Sequence, residues 1–200
     1  MSTASSKDNP LPTEIGQALL ALARQSIAKQ LGSGKAEELP AETAERLKDP
    51  RLQEQRGTFV TLHKQGSLRG CIGSLTADEP IIESIKQNAV NAAFRDPRFP
   101  PLTQEELPST HIEVSLLSEP QPLIHQEARE IVDNLQRSQP GVILKQGARQ
   151  ATFLPQVWSQ LPKAEDFLDH LALKAGLPQT AWREGTAELL TYDVQSFEES

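Results

Sequence analysis

The chain has 200 residues, 37% of them hydrophobic, with 27 acidic against 20 basic side chains and a net charge of −7. That length suits one self-sustaining core, inside the usual range of roughly 100–200 residues for a domain, while the acidic balance and the lack of any Lys/Arg block argue against nucleic acid as a partner. A single cysteine forms no intrachain disulfide, and neither a signal-type apolar region nor an unbroken apolar run of about 18 residues occurs, so a cytoplasmic protein with no membrane partner is expected.

Residues 1–10 are small and polar and read as a disordered tail, leaving 11–200 as a single domain. Ile15, Leu19, Leu22, Ile27 and Leu31 recur near helical period, with Thr13 as the expected N-cap and Gly32 as the stop. Residues 33–56 are charged and broken by Pro40 and Pro50, which suits a surface excursion. Two β-branched, apolar runs then flank Gln65-Gly66, a pair suited to the positive φ angles of a tight hairpin turn. A second amphipathic helix starts after Pro80 and must end before Pro97. "TQEE" from Thr103 has capping-box spacing, and "HIEVSLLSE" reads as a strand. Residues 125–137 suit a helix, and "GVILKQGARQATFL" repeats the Lys-Gln-Gly turn chemistry in a second hairpin. A helix from Lys163 to Ala175 stopped by Gly176, and one last strand in "ELLTYDVQSFEE", complete the series. Hairpins and helices in this order predict an α+β fold with a mixed, largely antiparallel sheet and flanking helices.

The only cysteine lies in "SLRGCIGSL", on the second strand of the first hairpin. With Gln65 and Gly66 as the turn, Leu62 should face Arg69 and Val60 should face Cys71, which puts Arg69 and Cys71 on one face with Val60 and Leu62, and His63 on the other. On that register His63 is a poor base for Cys71, whereas Arg69 stands where a cation would favour a thiolate. Gly70 and Gly73 mark a ligand's approach to bare backbone, a bulge, or close packing of another segment. Against this, free cysteine is often a buried small hydrophobe, and Ile72 and Leu75 beside it read as core; residue chemistry alone favours an inert thiol. No base among His111, His125 and His170 can be assigned from sequence.

Arg95, Asp96 and Arg98 follow the second helix, where cations complement the helix dipole. Their functional reading is a pair of guanidiniums holding a carboxylate or phosphate, one of them oriented by Asp96 through a bidentate pair. Lys145, Gln150 and Thr152, with Arg149 nearby, share a strand face that would extend a polar wall. Phe153, Trp158, Phe167 and Leu171 read as core. Four scattered histidines and one cysteine give no metal-ligand spacing, and no phosphate-cradling glycine loop or nucleophile elbow is found, so no cofactor and no metal are expected.

"GTFVTLHKQGSLRGCIGSL", "NAAFRDPRFPPLT", "EVSLLSEP", "GVILKQGARQATFLPQVWSQLP" and "FLDHLALKAGL" occur in this order, and together they resemble the AMMECR domain family, also called protein A of the AmmeMemoRadiSam system. The resemblance covers about residues 11–198. It implies a cytosolic protein with a larger α/β lobe, a smaller lobe and a cleft between them, its "LRGCIG" stretch associated with that cleft. It also implies association with a Memo-like protein of dioxygenase-like fold and a radical S-adenosylmethionine enzyme, and no established reaction. It carries over onto Leu68, Arg69, Gly70, Cys71, Ile72 and Gly73. Members often carry a histidine before the "GLIL"-like strand where this chain has Pro140 ahead of Gly141, so no histidine role transfers there. Two functions follow as expectations: an accessory component that binds a small or peptidic ligand through Arg69, Cys71 and the arginine pair, or an enzyme with Cys71 as nucleophile activated by Arg69 and an adjacent base.

Overall fold

The computed structural model describes residues 10–32, 38–75, 78–124 and 127–199. The expected tail lies outside these residues except for Pro10, as do the first two positions of the helix expected over 125–137. The chain forms two compact units, one holding everything up to Leu117 together with the segment from Gln195, the other running Ser118–Val194.

The first unit opens with α1 (Thr13–Gln30), which buries Ile15, Leu19, Leu22 and Ile27 at helical spacing. Pro12, not Thr13, occupies the N-cap position: its carbonyl accepts the N–H groups of Ile15 and Gly16 at 3.0 and 3.2 Å, and Thr13 is already helical. A short helix, α2 (Ala41–Arg46), and a 3-10 turn over Pro50–Gln53 carry the charged excursion, pinned to the core by Leu47 and Leu52. The hairpin β1 (Thr58–Lys64) and β2 (Ser67–Ser74) follows, then α3 (Ile81–Phe94) and β3 (Thr110–Leu117).

Strand order in the first sheet is β2-β1-β3-β8, where β8 is Val194–Glu198, and both partners of β1 run antiparallel to it. Val60 and Leu62 stand opposite Val114 and Ile112, and with Leu116 they form one face on which no side chain is more than 1% exposed. That face and the apolar sides of α1 and α3 make a single core. The end of the chain closes on its beginning. The Phe197 ring occupies the space a Cβ at Gly16 would take, the Gln195 amide exchanges two 2.8 Å hydrogen bonds with the backbone of Leu11, and Glu199 accepts from Arg24 Nε at 2.7 Å.

The second unit holds β4 (Gln121–Pro122), α4 (Ala128–Ser138), β5 (Gly141–Gln146), β6 (Arg149–Phe153), α5 (Ala164–Lys174) and β7 (Glu188–Tyr192), with sheet order β4-β7-β5-β6. The aromatic residues expected in the core are there: Phe167 is fully buried, Trp158 stacks on it with centroids 3.9 Å apart, and the Trp158 indole donates to the Pro140 carbonyl at 2.8 Å. The second hairpin turns at Gly147-Ala148, with Gln146 facing Arg149, and only the glycine, at φ +60°, needs a left-handed conformation. "ELLTYDVQSFEE" is two strands in two different sheets, not one. They part at Asp193, whose backbone carbonyl and N–H are taken by the N–H and hydroxyl of Ser118. The fold is therefore α+β, with helices flanking antiparallel pairings. Among the described residues no helix is long and apolar enough to cross a membrane.

Candidate functional site

The first hairpin places the site, and it does so through a slip. The turn is the expected one, with Gln65 at φ 52° and Gly66 at φ 76°, a combination that matches strand twist. Lys64 faces Ser67 and His63 faces Leu68, but the register shifts next, so that Leu62 faces Gly70, Thr61 faces Cys71 and Val60 faces Ile72. Arg69 is the extra residue of a bulge. Because a one-residue shift moves every later side chain to the other face, the expected grouping of Arg69 and Cys71 with Val60 and Leu62 does not form. Cys71 lies on the Thr61 side, half-buried, where the Thr61 hydroxyl donates to its sulfur at 3.3 Å. Alternation along β1 puts His63 on that same side, the reverse of the expectation, and its Nε2 lies 3.6 Å from the Glu113 carboxylate.

Arg69 turns toward Lys64, which is in phase with buried Leu62. The Glu106 carboxylate receives both cations, Arg69 Nη2 at 3.1 Å and Lys64 Nζ at 2.8 Å, and also caps the Thr103 N–H at 3.1 Å. The "TQEE" spacing thus yields its cap, and the capping carboxylate doubles as the arginine's counter-ion. Arg69 donates first and Lys64 second in holding the Glu106 carboxyl down at about 2. A carboxylate with a depressed pKa contributes stability that is complete above its unfolded value and lost as pH falls through its folded value. Stability should therefore drop between about pH 4.5 and 2, and in Glu106→Gln that part of the drop should disappear, read by urea titration across the acid range.

Asp96 is only 4% exposed. It accepts the Cys71 backbone N–H at 2.9 Å and the Arg98 guanidinium through both oxygens, Nε at 2.9 Å and Nη2 at 2.7 Å. The Arg98 pair, followed by the Cys71 N–H, holds its carboxyl well below the ordinary carboxylate range. Arg98 Nη2 also reaches the Cys71 carbonyl at 3.4 Å. β2 is an edge strand, so these contacts take up the outward-facing backbone groups of Cys71 that would otherwise be open to another strand.

Both guanidiniums lie over the ring of Phe99, with Arg69 Cζ 5.9 Å and Arg98 Cζ 5.5 Å from its centroid. Two cations share this aromatic face because each has its own carboxylate, Glu106 or Asp96. Arg69 Nη1 is buried and has no hydrogen-bond partner among the described residues, and an unmade hydrogen bond of that kind costs about 1–3 kcal/mol. An acceptor brought to it, above all an anionic one, would remove that cost.

Of the residues singled out in sequence, Arg69, Cys71, Asp96 and Arg98 come together here. Gly70 and Gly73 do not leave backbone bare: the Ala92 carbonyl of α3 fills the place of a Cβ at Gly70, and the Thr58 carbonyl and Phe59 ring do so at Gly73. Ile72 packs against the first unit's core. Arg95 leaves this cluster and lines a groove with residues of α1 and α3. Lys145, Gln150 and Thr152 belong to the second unit. Lys145 faces Gln150, and the Thr152 hydroxyl is engaged by the Val142 carbonyl at 2.9 Å and the Tyr192 hydroxyl at 2.8 Å, the latter pushed up to about 12 by burial. His125 lies outside the described residues, His111 is exposed on β3, and His170 Nδ1 sits 2.8 Å from the Asp166 carbonyl of its own helix. Among the described residues no cluster of three or more His, Cys, Asp or Glu side chains is placed to hold a metal. Sequence reasoning missed Phe99, Glu106 and Thr61. The first two had signals, an aromatic in "FRDPRF" and the capping-box carboxylate; Thr61 had none without the bulge.

Comparison with known proteins is consistent across sequence and structure. The AMMECR1 family model matches residues 20–197. Protein MK0488 of Methanopyrus kandleri is 39% identical over 197 residues, covering 94% of this chain and 90% of its own length. A Methanosarcina mazei protein is 40% identical over 185 residues, covering 92% and 91%. The crystal structure of the uncharacterised protein PH0010 from Pyrococcus horikoshii matches with a TM-score of 0.78 at 34% identity, over 95% of this chain and 94% of that one.

Proposed function

Because the chain belongs to the AMMECR1 family, a family of uncharacterised proteins whose biochemical activity is unknown, we propose a function from its own site: a cytoplasmic binding component that holds an anionic group of a small or peptidic ligand between Arg69 and Arg98. The family resemblance supplies the proposed partners, a Memo-like protein and a radical S-adenosylmethionine enzyme. The observation that carries the reading is the buried, unpartnered Nη1 of Arg69, beside a second guanidinium on the same aromatic ring. Asp96 holds Arg98 in a planar, two-point pair that fixes its outer edge, and Glu106 does the same office for Arg69. Neither arginine needs to be ordered by the ligand, so little of the binding free energy is lost to ordering.

The test compares wild type with Arg69→Met and Arg69→Lys, measuring metabolites retained on the purified protein by mass spectrometry and capture of the two partner proteins. Arg69→Lys keeps a charge for Glu106 but lacks the second N–H. Both variants should retain at least about tenfold less, as the loss of a charge-assisted hydrogen bond predicts. Undiminished retention by folded Arg69→Met would overturn the reading.

A second reading has one observation in its favour: the bulge returns His63, paired with Glu113, to the side of the sheet on which Cys71 sits. There Cys71 would act as a nucleophile with His63 as base. The contact the sulfur does make is with Thr61, not with an imidazole, which is why binding is preferred. Iodoacetamide alkylation separates the two. The enzyme reading expects a rate that falls at least about tenfold in His63→Gln; an equal rate in that variant would eliminate it.

A further inference from the structure

A groove of about 540 Å³ runs between α1 and α3, lined by Leu22, Gln25, Ser26 and Lys29 from one helix and by Lys86, Gln87, Val90, Asn91 and Arg95 from the other and its end. Its volume is within the range of small-molecule sites, and its residues are distinct from the Arg69 and Arg98 cluster. Its composition is unlike the rest of the molecule. In a chain of net charge −7, every charged side chain lining this groove is a cation: Lys29, Lys86 and Arg95. Lys86 Nζ is held by Glu83 at 2.8 Å and Lys29 Nζ by the neutral Gln25 amide at 3.1 Å, while the exposed Arg95 guanidinium has no partner among the described residues. Helix ends explain part of this: Lys29 is in the last turn of α1 and Arg95 follows α3, where positive charge is favourable. That account covers each residue singly. It does not cover Lys86, in the second turn of α3 near the opposite end of that helix dipole, nor the convergence of three cations from two helices on one hollow.

We propose that this groove is a binding site for a small organic polyanion, with phosphate or carboxylate groups met by Lys29, Lys86 and Arg95 and an apolar body laid on Leu22 and Val90. The amides of Gln25, Gln87 and Asn91 supply neutral donors and acceptors along its length, the mixture that such ligands need. Ser26 gives its hydroxyl proton to the Leu22 carbonyl at 2.8 Å and so offers its oxygen lone pairs only. Arg95, which sequence reasoning placed with Arg98, is the residue this site claims.

The experiment titrates the full chain with adenosine triphosphate, pyrophosphate and citrate, following backbone amide resonances by NMR. Saturable shifts centred on residues 22–29 and 86–95 are expected, tighter for the nucleotide than for pyrophosphate because only the nucleotide covers Leu22 and Val90. A citrate response equal to that of the nucleotide would assign the site to carboxylates, and a weaker one to phosphates; both support it. The double variant Lys29→Gln/Arg95→Gln should weaken binding by at least about tenfold, and Arg98→Gln should leave it unchanged, which separates this site from the one proposed above. No saturable response to any of the three probes up to millimolar concentration, or equal affinity in the double variant, would overturn the proposal.

Discussion

Replacing Gly70 by alanine is expected to cost about 3 kcal/mol or more, at the upper end of overpacking effects, and to disrupt the first unit's sheet. The reason is what the added methyl meets. At Gly70 it would run into the Ala92 carbonyl oxygen of α3, a backbone atom fixed by its helix, and not the free end of a flexible side chain. Either α3 moves off the sheet or β2 leaves it, and α3 carries Ile81, Ile85 and Ala89, all with no exposed surface. Chemical denaturation followed by circular dichroism gives the magnitude. Gly66→Asn is the control: nothing lies within 4 Å of a Cβ there, and asparagine tolerates the left-handed turn, so the change should stay within about 1 kcal/mol. Equal stability of the two variants would show that α3 does not rest on the backbone of β2.

The second large effect is expected from Asp96→Ala, about 2–3 kcal/mol. One buried carboxylate there accepts the Cys71 N–H, the Arg98 N–H and the Arg98 guanidinium. Its loss leaves the edge-strand N–H with no acceptor in place. Arg98 itself is half-exposed, with 53% of its side chain accessible, so water takes up most of its share and the larger part of the cost falls on the backbone. Hydrogen exchange should therefore show the Cys71 amide losing protection by more than its neighbours on β1. Asp96→Asn, which keeps an acceptor and loses the charge, should recover part of the stability. If protection at Cys71 is unchanged in Asp96→Ala, the loop after α3 does not clamp the strand.

The elements of the fold were mostly legible because they are short-range. Gln65-Gly66 demanded a hairpin, Pro97 ended a helix, and the apolar spacing of α1 is visible over five of its turns. The bulge was not legible in the same way. Gly70 allowed it as one of several readings, but what selects it is the carbonyl of Ala92, twenty-two positions further along, and that contact exists only once α3 has packed. From the bulge follow the corrections at the site: Arg69 parts from Cys71, His63 joins it, and Thr61 becomes the sulfur's partner. The split of the last strand was hidden for a similar reason. "ELLTYDVQSFEE" has an unbroken strand pattern, and what divides it at Asp193 is its pairing with Ser118. Asp96 is the opposite case, since "RDPR" holds both the carboxylate and the guanidinium of the pair within three residues, and local geometry was enough to anticipate it.

The fourth strand of the first sheet is made last. A ribosome delivers α1, the hairpin, α3 and β3, then the whole of Ser118–Val194, and only afterwards the residues of β8 that seat Phe197 on Gly16 and Glu199 beside Arg24. Until that segment emerges, β3 has an open flank and the apolar side of α1 lacks a cover, so the earlier-synthesised half is completed later than the half inserted into it. Ribosome-bound chains halted near residue 190 should accordingly be protease-sensitive in the part translated first.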